Sequence, residues 1–182
     1  MKLFKIFSVI LLTLSTFFFT ACNSDDDTIP KKLNEIKIGA KSFEIKNSVL
    51  IKKGTHNDIT YFTLYLSSSG LTIDASEDPQ GSGDILAFQI NADEQTKLTE
   101  GTYTVNNQSN SSFIIEKGFH FIGFDASLGD NQTGNIDIKS GSITVTSNTN
   151  EYTITITLVD KNGTNVIGYY KGSIPILNYD AP

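Results

Sequence analysis

The chain has 182 residues, a formal charge of −6 and no Arg, so it lacks the clustered cations and guanidinium forks on which nucleic-acid binding relies. A single Cys and two His exclude an intrachain disulfide, a Cys-based zinc site and thiol catalysis in the folded part, and argue against a His-rich metal centre. The length suits one domain with a core of its own, carrying 12 Phe and 7 Tyr but no Trp.

Residues 1–21 begin with Lys2 and Lys5, continue through an apolar stretch from Ile6 to Phe19, and close on the small residues Thr20 and Ala21. That is the charge, apolar and small-residue order of a secretory signal peptide. The stretch is short for a membrane span of about 20 residues, and an acidic segment follows it directly. Phe19-Thr20-Ala21-Cys22 resembles a bacterial lipobox, in which the first position is more commonly Leu. The resemblance implies cleavage before Cys22 and acylation of its thiol, and two or more acyl chains hold a protein at a bilayer durably.

Asn23-Ser24-Asp25-Asp26-Asp27 is similar to the Ser/acidic export signal of Bacteroidota-type surface lipoproteins, which makes Ser24, Asp25, Asp26 and Asp27 the export-signal candidates. A like-charge run also stays extended by self-repulsion and so serves as a tether. The expected organisation is therefore a signal peptide over 1–21, a lipidated acidic tether over 22–33 and a single β domain over 34–182.

From Leu33 onward the dominant period is two. Short strands are expected at Glu35–Ile38, Ser42–Ile45 and Ser48–Ile51, with a turn around Gly54-Thr55-His56-Asn57-Asp58. Thr60–Leu66 places Phe62, Leu64 and Leu66 on one face and Tyr61 and Tyr65 on the other, while Ile85–Ile90 is apolar on both faces apart from Gln89. Ala92–Leu98 is the best helical candidate, at one or two turns. Thr102–Val105 follows as a strand. Phe113–Ile115 and Phe119–Phe124 flank Lys117-Gly118 as a hairpin, with His120 inside the second strand. Ile136–Lys139 and Ser142–Thr146 lie either side of Ser140-Gly141, a turn or a bulge. Tyr152–Leu158 alternates apolar residues with Thr, and Asp160-Lys161-Asn162-Gly163 then predicts a tight turn into a strand from Val166 to Ile174.

Such spacing predicts an all-β fold, an antiparallel β-sandwich of about ten strands, with a lipocalin-like barrel as the alternative. The runs Gly101–Val105, Gly141–Val145 and Tyr152–Ile154 resemble a broad class of Bacteroidota-type lipoprotein domains, and that resemblance implies a small β domain on a lipid tether without implying an activity.

Three groups of residues are candidate sites. Asp74, Glu77, Asp78 and Asp84 belong to an acidic loop with enough oxygens for calcium, but without the spacing of a calcium-loop template; a solvated loop is the simpler reading. Residues 125–134 form a second polar loop after the most aromatic strand. Tyr61, Tyr65, Tyr103, Tyr152, Tyr169 and Tyr170 are candidates for a sugar-stacking platform, or else for ordinary core and edge tyrosines. No Gly-x-Ser-x-Gly elbow is present, and no acid falls at an evidently apolar strand position, so no catalytic residue and no cofactor is expected.

The reading these features favour is a non-catalytic binding or adhesion module. It is anchored in the outer membrane through the lipid on Cys22, faces the cell surface, and recognises a glycan, a protein or an envelope component. A periplasm-facing placement is the alternative. Other readings are a structural subunit of an envelope complex, a carrier of small apolar molecules and, last, a hydrolase of surface polymers.

Overall fold

A computed structural model describes residues 32–106, 111–149 and 151–179; the lipobox cysteine Cys22 and the Ser24–Asp27 segment lie outside them. The described chain forms β1 (Glu35–Ile38), β2 (Lys41–Glu44), β3 (Asn47–His56), β4 (Ile59–Ser67), β5 (Leu71–Ile73), β6 (Pro79–Ala92), β7 (Gly101–Val105), β8 (Ile114–Asp125), β9 (Ile136–Asn148), β10 (Glu151–Asp160), β11 (Asn165–Gly172) and β12 (Ile176–Asn178), with one 3-10 segment at Ala126–Asn131. The fold is all-β, with twelve strands where about ten were expected. Eleven of them bond in one continuous series, β12-β3-β4-β6-β8-β7-β9-β10-β11-β1-β2, instead of two separately bonded sheets, and β5 adds to β6 off that path.

The sheet curls into a half-barrel, and the connection from β2 to β3 explains why it must. These strands lie at opposite ends of the series, so a flat sheet would hold them roughly 40 Å apart at about 4.8 Å per strand step. Three Cα–Cα links from Glu44 to Asn47 reach only about 11 Å. Ile45 N donates to Asn34 O beside β1 at 2.7 Å, and Lys46 N, the next amide, donates to Ser67 O of β4 at 2.9 Å. Two consecutive residues thus stitch the two limbs together.

Inside the curl lies the main core. β10 supplies Tyr152, Ile154, Ile156 and Leu158, β4 supplies Phe62, Leu64 and Leu66, and β1 supplies Ile36 and Ile38. The alternation in β10 follows the sequence pattern because inward residues meet this core while Thr153, Thr155 and Thr157 face away. β3, β4 and β6 are apolar on both faces for a second reason. On the outer face Val49, Ile51, Tyr65, Ile85, Ala87 and Phe121 form a smaller cluster with Leu71 of β5, and Leu177 of β12 packs against it.

Several local expectations change. Lys117-Gly118 is not a hairpin turn: β8 runs straight through it, paired with Gln89 and Phe88 of β6. Ser140-Gly141 is likewise internal to β9, next to a register shift at Val159/Asp160 of β10, so the bulge alternative holds. Ala92–Leu98 is not helical. A two-residue turn stands at Asn57-Asp58, both with positive φ (48° and 62°), which matches the twist of a hairpin between β3 and β4. The Asn162-Gly163 turn is wider. Asp160 N donates to Thr164 O and Gly163 N to Asp160 O, and Gly163 alone takes positive φ, making a three-residue loop.

Candidate functional site

Outward-facing positions on neighbouring strands fall into register rows. One row reads Thr63, Gln89, Lys117 across β4, β6 and β8; the next reads Tyr65, Ala87, Phe119 and continues to Asp137 of β9. The second row ends at a seam. β9 pairs with β8 only at Phe119↔Asp137 and His120↔Ile136, then turns to pair with β7 from Ser142 onward. Where the two strands part there is a groove of about 680 Å³, lined by side chains of both rows together with Glu116 and Asn135. A smaller hollow of about 260 Å³ shares Gln89 and Glu116 with it and extends past Tyr61 to Lys53.

The chemistry of this surface is mixed. Tyr65 and Phe119 supply aromatic surface, Gln89 and Asn135 supply amides that both donate and accept, and the carboxylates of Glu116 and Asp137 and the ammonium of Lys117 also line it. Asn91 Nδ2 donates to Glu116 Oε1 at 2.9 Å, which fixes one of those carboxylates. Asp137 Oδ2 lies 3.6 Å from Lys161 Nζ in an exposed pair. Thr63 is buried at the floor, and its Oγ1 has no hydrogen-bond partner among the described residues. Burial, together with the negative charge of Glu77, holds the Tyr65 hydroxyl well above the ordinary tyrosine range, so the phenol stays protonated.

The acidic-loop residues do not gather at one point. Asp74 Oδ1 accepts from Ser76 N and Oγ at 2.9 and 2.5 Å, Asp78 Oδ2 from Gln80 Nε2 at 2.7 Å, and Asp84 Oδ1 from Gly123 N at 2.8 Å. Glu77 pairs with Lys53, whose Nζ also sits 3.3 Å above the Tyr179 ring. Among the described residues no group of three His, Cys, Asp or Glu side chains is placed to hold a metal ion. The 125–134 loop is also turned on itself: Asp125 Oδ1 accepts from Ser127 N and Oγ, and Asp125 N donates to Gln132 Oε1. The two bonds from Ser127, the side-chain one first, hold the Asp125 carboxyl below its usual range.

The six tyrosines do not form one platform. Tyr103 is fully buried and donates to Thr99 O at 2.8 Å, Tyr152 belongs to the core, and Tyr170 donates to Ser173 O at 2.7 Å. Only Tyr65 lines the main groove and only Tyr61 its extension.

One acid does stand in an apolar interior, against expectation. Asp160 is 1% exposed and His120 2%, with Asp160 Oδ2 and His120 Nε2 3.1 Å apart. Asp160 Oδ1 accepts from Asn162 N and Thr164 N at 2.8 and 2.9 Å. Burial pushes this carboxyl up, but the bonds from Thr164, His120 and Asn162 outweigh it and leave the pKa lowered. His120 Nδ1 has no partner among the described residues, and Nε2, facing the Asp160 carboxylate, is the ring nitrogen placed to donate. The pair lies in the interior, not in the groove. Its sequence signal was phase: Asp160 continues the inward series of Leu158, and His120 pairs with inward Leu86.

No protein-family model matches the sequence, and no curated protein and no solved structure matches it significantly.

Proposed function

We propose that this chain is a lipid-anchored, non-catalytic binding module, held at the outer membrane through Cys22, and that the seam between β8 and β9 is its recognition surface. The observation that carries the binding reading is the groove itself. Its volume falls in the range of about 300–1,000 Å³ usual for ligand sites, and aromatic, amide and charged side chains converge on it from four strands. Among the described residues, every carboxyl whose pKa is displaced (Glu44, Asp74, Glu100, Asp125 and Asp160) is displaced downward. General-acid chemistry asks for the opposite shift, which supports recognition over hydrolysis.

The tether rests on the lipobox-like Phe19–Cys22 and the acidic run behind it. We take the limbs β3-β4-β6 and β10-β11-β1 as sandwich-like layers about one core. Both limbs supply it, and no pairing among the described residues joins β2 to β12 into a closed barrel. The test of the tether is Cys22→Ser with metabolic labelling by palmitate. Loss of label and release of the chain from the membrane fraction are expected; a variant that stays membrane-bound and is cut at the same place overturns it.

A further inference from the structure

We infer that the groove takes a neutral oligosaccharide, with one sugar face stacked on Phe119 and its hydroxyls held by Gln89, Glu116 and Asp137; this rests on the binding-module reading above. Four observations narrow the ligand class. The surface is elongated, since the main groove and its extension share Gln89 and Glu116 and run from Asp137 on β9 to Lys53 on β3, a shape suited to a chain of rings more than to a compact ligand.

Its lining is divided between aromatic carbon and hydrogen-bonding amides, carboxylates and the Lys117 ammonium, which is what a pyranose presents in reverse: apolar C–H faces and a rim of hydroxyls. The negative face of an aromatic ring attracts the weakly positive C–H groups, while amides and carboxylates accept from hydroxyls. The charges favour a neutral ligand. Glu116 and Asp137 on the groove are met by Lys117 and Lys161, the extension's Lys53 is paired with Glu77, and no Arg exists to clamp phosphate or carboxylate. Finally, Thr63 carries a buried hydroxyl without a partner under the groove, a polar floor where an apolar ligand would want a hydrophobic one.

The experiment is titration calorimetry on the full-length chain in lipid nanodiscs, with hexasaccharides of β-1,4-glucan, β-1,4-mannan and α-1,4-glucan. An oligogalacturonate serves as the anionic probe and choline as the cationic one. Saturable binding of at least one neutral chain is expected, weakened about tenfold or more by Phe119→Ala and by Gln89→Ala, and less by Asp137→Ala. Gln89 and Asp137 are exposed, so their variants keep the test valid should Phe119→Ala perturb the fold.

Absence of binding by all three neutral chains overturns the inference. So does binding that Gln89→Ala and Asp137→Ala leave unchanged, or a site that prefers galacturonate or choline. A chain anchored through Cys22 that binds none of the saccharides loses this inference and keeps the tether. One that binds them but stays on the membrane without Cys22 loses the tether alone.

Discussion

Replacing Asp160 by Ala removes the acceptor for two loop amides and the partner of a buried imidazole in a single step. Each bond to a charged group contributes about 1.5–3 kcal/mol in isolation, but Asn162 N and Thr164 N sit in an exposed turn where water replaces part of the loss. His120 Nε2 has no such relief at 2% exposure. Leaving that N–H buried and unsatisfied costs about 1–3 kcal/mol, and with the two loop amides the expected loss for Asp160→Ala is about 3–5 kcal/mol, a large share of a domain's usual stability of about 5–15 kcal/mol. His120→Leu, which also deletes the partnerless Nδ1 and leaves Asp160 its two amide donors, costs about 1–2 kcal/mol. The double variant therefore loses less than the sum of the two. Equilibrium urea unfolding at neutral pH, with unchanged m, measures all three. A loss below about 1 kcal/mol for Asp160→Ala, or strict additivity in the double variant, refutes the reasoning.

Because the Asp160 carboxyl titrates lower in the folded chain than its ordinary 3.8, its contribution is present in full above that value. The contribution is lost as pH falls through 3.8 toward the folded pKa, since the unfolded chain takes up the proton first. Urea midpoints followed into acid should fall more steeply for the wild type than for Asp160→Asn. Gly141→Ala should destabilise by about 1–3 kcal/mol, measured the same way, since φ is +110° and an added Cβ would stand 2.3 Å from Thr157 O. Lys53→Met removes both the ion pair with Glu77 and the cation over Tyr179; a cost of about 1 kcal/mol is expected, shrinking in high salt. Phe62→Ala, which empties a ring 1% exposed, should cost about 3–5 kcal/mol and lower the thermal midpoint by about 10 °C.

What the sequence revealed was set by how local each signal is. Tyr152–Leu158 reads as a strand because its partners on both sides leave one face in the core and one outside, so period two survives in the residues themselves. Lys117-Gly118 reads as a turn for an equally local reason, yet the structure needs the glycine elsewhere: a Cβ there would meet Phe88 Cδ1 at 3.0 Å and Ile138 Cγ1 at 3.2 Å. Close packing and chain reversal select the same residue, and only tertiary context separates them. The groove was invisible because Tyr65, Gln89, Phe119 and Asp137 come from four strands, and each taken singly is an unremarkable sheet residue. The His120–Asp160 pair was closer to reach, as two polar side chains on inward positions, but their meeting depends on how β8, β9 and β10 pass one another.

The pairing of Glu35 with Tyr169 and of Ile38 with Val166 sets the order of assembly as well as the architecture. Beyond its hairpin partner β2, the first strand has no neighbour on its other edge until the eleventh exists, so in a chain emerging end first that edge waits while the hairpin β3-β4 and its pairing with β6 form by short loops. Long loop closures of this kind slow folding to about milliseconds to seconds. A polypeptide built this way stays open, and threadable, until nearly all of it has been delivered.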